Sequence, residues 1–95
     1  MAERPLLDRL LGAELDALER ILTRGERGKY AGRAFTDWDA DHHFTKADGH
    51  IVRSGALYAA RDEGPDGTGE LHVHNAILRL LMVAGCVRHE EEAGS

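Results

Sequence analysis

Lys46, His50 and Arg53 stand at i, i+4 and i+7, a spacing that puts all three on one face of a helix. Such a stripe could hold a phosphate chain, because lysine and arginine donate charge-assisted hydrogen bonds to phosphate oxygens. The same spacing also describes a solvated basic face balanced by nearby acids, and spacing alone favours that plainer reading. Further on, Asp62, Glu63, Asp66 and Glu70 lie close enough in sequence to bring several carboxylates together, as hard Mg²⁺ requires. Glu70 has a second reading, since an acid at the head of a helix offsets the helix dipole. His72 and Asn75, at i and i+3, could hydrogen-bond across a helical interface, and His72 reads first as a structural residue. Arg79 interrupts a run of aliphatic residues, so its charge needs a partner if buried. That partner could be an acid of another helix, another subunit or a ligand phosphate.

Other chemistries have less to rest on. His43 and His50 are two helical turns apart, about 10 Å of rise, too far to chelate one metal through these two side chains alone. There is no helical HExxH and no cysteine pair, so zinc is weakly supported. Cys86 sits inside an apolar helix, a poor place for a nucleophile. The phosphate loop GxxxxGK[ST], the dinucleotide fingerprint GxGxxG and the GxSxG elbow are all absent.

Three helical segments must position these residues. Leu7, Leu11, Leu15, Leu18 and Leu22 recur every three or four positions, the period of an amphipathic helix. Pro5 suits its first turn. Gly12 is expected to divide it into a lead-in and a main helix over 13–24, ended by Gly25 and Gly28. A glycine- and charge-rich loop follows, pinned to the core by Tyr30, Phe35 and Trp38. Thr36, Asp37 and Asp39 are candidate N-caps for a second helix over 40–61, with Phe44, Ala47, Ile51, Gly55 and Tyr58 as its buried stripe. Residues 62–69 read as a loop, with Thr68 placed to cap a third helix over 70–89. That helix is apolar nearly all round, which normally means burial on every side. A chain of this size can hardly supply such burial, so the sequence predicts a homo-oligomer formed through residues 70–89. Residues 90–95 read as a disordered tail.

The 95 residues carry a net charge of -5, which argues against general nucleic-acid or membrane-surface binding. The expectation is one soluble, cytoplasmic domain over 1–95, with no leader core in its first residues and no span long enough for a bilayer. The single cysteine suits a reducing compartment. The fold class expected is all-α, a small bundle of three to four helices completed by oligomerisation.

The order of short motifs resembles the MazG-like all-α nucleotide pyrophosphohydrolases, in particular the dATP/dGTP diphosphohydrolase N-terminal-like domains of phages and bacteria. The residues that carry it are the leucine helix over 15–22, Gly25 with Lys29-Tyr30 and Gly32, then Trp38. His50, the loop with Asp66 and Gly69, and His72 with Asn75 follow. The resemblance covers about residues 6–88. It implies Mg²⁺-dependent hydrolysis of a (deoxy)nucleoside triphosphate to the monophosphate and pyrophosphate. Lys46, Arg53, Asn75 and Arg79 would then bind substrate, with His50 and His72 as catalytic candidates and Asp62, Asp66 and Glu70 as metal ligands. The chain departs from the family by lacking its ExxE and ExxD carboxylate pattern. The alternative is a non-catalytic helical module, of phage origin, that binds a nucleotide or a protein without turnover.

Overall fold

A computed structural model describes residues 4–94. Met1 to Glu3, read above as lacking a leader core, and Ser95, the end of the expected tail, lie outside the described residues. The chain is a small all-α domain. Its helices are α1, Pro5–Glu26, α2, Ala40–Arg53, and α3, His72–Ala93. Short 3-10 turns at Phe35–Asp37 and Ala56–Tyr58 punctuate the connections. Among the described residues no helix is long and apolar enough to cross a membrane.

Each boundary has a local cause. Pro5 opens α1, where a missing N–H costs nothing. The expected break is present one residue early, at Leu11, whose φ of -133° and ψ of 25° leave the helical region. Asp39 caps α2 by accepting the His42 N–H at 2.8 Å. That helix stops at Arg53, well short of the expected 61. Gly55 takes φ of +72°, a conformation open to glycine but costly for other residues, and the chain turns away there. Leu57 and Tyr58 follow, both with positive φ. The third helix starts two residues later than expected and runs to Ala93, so residues 90–93, read as tail, are helical. Its cap is not Thr68; Leu71 occupies the N-cap position without a side-chain cap bond.

α2 and α3 form an antiparallel hairpin, and α1 packs far more lightly on α3. The buried stripe of α2 is not the one expected. Phe44 is 56 % exposed, Ile51 52 % and Tyr58 70 %; of that set only Ala47 is buried. The face turned to α3 carries His43, Ala47 and His50 instead, rotated by one position from the apolar row. Hydrophobic spacing located the helix but not the side on which its partner lies. The fully buried apolar residues are Ala17, Ala47, Ala76, Leu78 and Cys86. Beyond these, Phe35 lies over Gly85, where a Cβ would come within 2.8 Å of the ring.

Candidate functional site

The seam between α2 and α3 is polar. Seven residues separate His43 from His50 on α2, and seven separate Arg79 from His72 on α3, so the antiparallel pairing sets His43 opposite Arg79 and His50 opposite His72. Between them lie buried Ala47 and Asn75, whose small size lets the helices approach.

His43 is 1 % exposed, and its partners fix its tautomer. A carbonyl oxygen only accepts, so Nε2–H donates to the Phe35 C=O at 2.8 Å. An arginine only donates, so the bare Nδ1 accepts from Arg79 Nη1 at 2.9 Å. Arg79 Nη2 donates to the Tyr30 hydroxyl at 3.0 Å, and the guanidinium sits 5.5 Å from the Tyr30 ring centre. Among the described residues Arg79 forms no ion pair with a carboxylate. Its half-buried charge rests on lone pairs alone, while further cations crowd it. Lys29 Nζ lies 5.6 Å from the Tyr30 ring centre. Burial pushes the Tyr30 hydroxyl up, yet the Arg79 hydrogen bond and the charges of Arg79, Lys29 and Lys46 together hold it below the usual phenol value. His42 is pushed down by burial first and then by Arg79, His43 and Lys46. Around this cluster Trp38 meets Tyr30 edge-on at 5.5 Å and stacks on His42 at 5.6 Å, with Arg33 over its ring at 4.7 Å.

One turn pair along the seam, His50 and His72 share an Nδ1–Nδ1 hydrogen bond of 2.9 Å. The bond exists only while one ring has a bare Nδ1. Burial, Arg53, His72 and Arg79 push His50 down to about 4, against a smaller opposing pull from Asp62. In the unfolded chain the same ring titrates near its ordinary value, about 6.5. The stabilising contribution is therefore complete above that value and is lost as pH falls from about 6.5 toward 4. After discounting for the ring's partial exposure, on the order of 1–2 kcal/mol is at stake. Urea unfolding at pH 7 and pH 5 is expected to show most of this loss, before carboxyls titrate, and His50→Gln is expected to flatten it. An unchanged pH slope in His50→Gln would remove His50 as its source.

The acidic loop is organised for its own folding. Asp62 accepts the Thr68 N–H at 3.2 Å and its hydroxyl at 3.4 Å. Asn75 Nδ2 donates to the Leu71 carbonyl at 2.9 Å and to the Thr68 hydroxyl at 2.9 Å, which ties the loop to the first turn of α3. Both Glu70 oxygens are taken by Arg20, at 2.8 and 2.9 Å, and that bond, followed by the Arg20 charge, holds the Glu70 carboxyl below the usual range against some burial. Asp66 is exposed on the loop. Among the described residues no three His, Cys, Asp or Glu side chains gather to hold a metal. Asp62, Asp66 and Glu70 are therefore not brought together as a ligand set.

The other candidates separate. Arg53 is exposed and donates to the Gly49 carbonyl at 3.0 Å on its own helix. Lys46 is exposed, within the field of Tyr30 and His42. The His74 Nδ1 is buried without a partner. A cavity of about 210 Å³ lies at the other end of the hairpin, beside Cys86 and His89. Its walls include Asp37, Asp39 and Glu90, which repel anions. Tyr30 and His43 are the members of the cationic cluster that sequence reasoning passed over as site residues. The signal for them was an arginine alone among aliphatics, which had to find lone pairs somewhere. Comparison with known proteins finds no matching protein family, curated protein or solved structure.

Proposed function

We propose that this chain is a helical module that binds a phosphate-bearing anion of the nucleotide class at Arg79, Tyr30 and Lys46, without turning it over. One observation carries the reading: a half-buried guanidinium, fixed by His43 and Tyr30, has no carboxylate among the described residues to neutralise it. A phosphate oxygen would supply that charge and receive strong hydrogen bonds. The Tyr30 hydroxyl accepts from Arg79, which leaves its own hydrogen to donate to the anion. Lys46 and Lys29 add long-range attraction and a flexible second contact. The likeness of motif order to MazG-like enzymes supports a nucleoside triphosphate as the ligand. Hydrolysis is the weaker reading, because two of the three acids that would carry Mg²⁺, Asp62 and Glu70, are engaged by Thr68 and Arg20.

The test pairs thermal shift with a pyrophosphate-release assay, using dATP, dGTP and inorganic tripolyphosphate, each with and without Mg²⁺. Saturating a site at a hundred times its dissociation constant adds about 2.7 kcal/mol, a rise of roughly 10 °C or more for a domain of this size. The expected result is stabilisation without pyrophosphate release. Release would establish the hydrolase instead, and no response to any of the three would remove the anion site.

A further inference from the structure

We infer that the outward apolar faces of this domain are covered by a second copy of the chain, and that the two copies fold as one unit. The first observation is area. A folded monomer of 10.4 kDa is expected to expose about 5,400 Å². This chain exposes 6992 Å², an excess of roughly 1,600 Å². A standard interface hides about 800 Å² per partner, and obligate homodimers about 1,000–2,500 Å². The excess is thus the size of an obligate interface. The shape agrees, since the radius of gyration is 14.2 Å where about 12.4 Å is expected for this length.

The second observation is what fills that area. Leu10 on the lead-in of α1, Phe44 and Ile51 on α2, and Leu81 on α3 are all more than half exposed. Phe44 and Ile51 are two turns apart and share a face that points away from α3. The end of α2 and the turn that follows it go further. Val52 is 75 % exposed and Leu57 91 %, and Leu57 is held at φ of 62°, a strained conformation for a γ-branched residue. An exposed leucine in a strained turn gains nothing in an isolated chain.

The third observation identifies the occupant. The hairpin spends its interior on polar groups, and among the described residues of the whole domain the buried apolar set is three alanines, one leucine and one cysteine. Such a core is too small to hold a domain of this length alone, so whatever covers the outer faces must be present each time the chain folds. A second copy always is. The inference extends the sequence expectation, which placed the interface on residues 70–89, to the lead-in of α1 and the outer face of α2. It stands independently of the ligand.

Sedimentation and light scattering over a wide dilution series read it directly. The expected mass is twice 10.4 kDa. The melting temperature should rise with protein concentration, as it does when folding and association are linked. Ile51→Lys and Leu10→Lys are expected to lower the melting temperature at low concentration and shift the mass toward the monomer. A parent chain that stays monomeric, with a melting temperature independent of concentration, would overturn the inference. It would assign the faces to a different protein. Should a variant fail to fold, the parent's mass and concentration dependence still decide. Mass and nucleotide binding are separate readouts, so the failure of either proposal leaves the other standing.

Discussion

Arg79→Gln is expected to keep the helical hairpin and to weaken anion binding by roughly ten- to a hundredfold. Glutamine retains an amide that can donate to the bare Nδ1 of His43, so the buried ring is not orphaned. What is lost is the charge and the second arm that reaches Tyr30. A hydrogen bond to a charged group is worth about 1.5–3 kcal/mol, and each 1.4 kcal/mol is about tenfold in the dissociation constant. Calorimetric titration with tripolyphosphate would measure the loss, and circular dichroism would check the fold. Arg20→Gln is the matched control. It removes an arginine whose side chain is 59 % exposed and paired with Glu70, and binding should not change. Equal losses in the two variants would mean that only net charge matters, and the assigned site would fall.

Gly67→Ala is expected to destabilise the chain by about 2–3 kcal/mol, the upper range for overpacking a well-filled site. Gly67 is buried. A Cβ there would collide with the Asp62 carbonyl oxygen and come within 2.8 Å of the Asp62 carbonyl carbon and the Glu63 oxygen. These are backbone atoms, so no rotamer change relieves the clash. The Asp62 carbonyl also accepts the Gly69 N–H at 2.8 Å, so displacing it loosens the loop and the Thr68–Asn75 tie beneath α3. Thermal unfolding would read a drop of roughly 10 °C or more. Gly12→Ala gives the contrast: nothing lies within 4 Å of its added Cβ, and the exchange should be neutral or stabilise by up to about 1 kcal/mol. A Gly67→Ala protein that melts with the parent would mean that the loop does not close on itself as described.

Much of the fold was legible in local chemistry. The leucine period, the weak point beside Gly12 and the Asp39 cap each act within a few residues, and the structure reproduces them. The end of α2 was misread because Ala59, Ala60 and Arg61 favour helix, while Gly55 alone decides the turn through its positive φ. The buried stripe was misread for a deeper reason. Phe44, Ile51 and Tyr58 form the strongest apolar row, and a row of that kind seeks a partner, but nothing in its spacing says whether the partner is α3 or something outside the chain. Meanwhile His43 and His50 face inward because each finds a lone-pair or donor match on α3, a pairing set by the hairpin and invisible in either helix alone.

The candidate site was legible only in part. Lys46 and Arg79 were singled out, one from its place in a basic stripe and the other from its isolation among aliphatics. Tyr30 was read as a fold signature because its partner lies 49 residues away. The acids of the loop resembled a metal site in composition. Glu70 reaches Arg20 across 50 residues, and Asp62 turns to its own loop, so side-chain pairing rather than residue type settled their geometry.

The most direct measurement is a two-dimensional ¹H–¹⁵N spectrum of the arginine Nε–H groups, recorded while dATP is titrated into the protein with Mg²⁺ chelated. Binding at the proposed site should move the Arg79 resonance and the Tyr30 amide together, saturably, while Arg53 and Arg20 stay in place. An unmoved Arg79, or shifts confined to Arg53 and Arg20, would contradict the assignment of the anion to this seam.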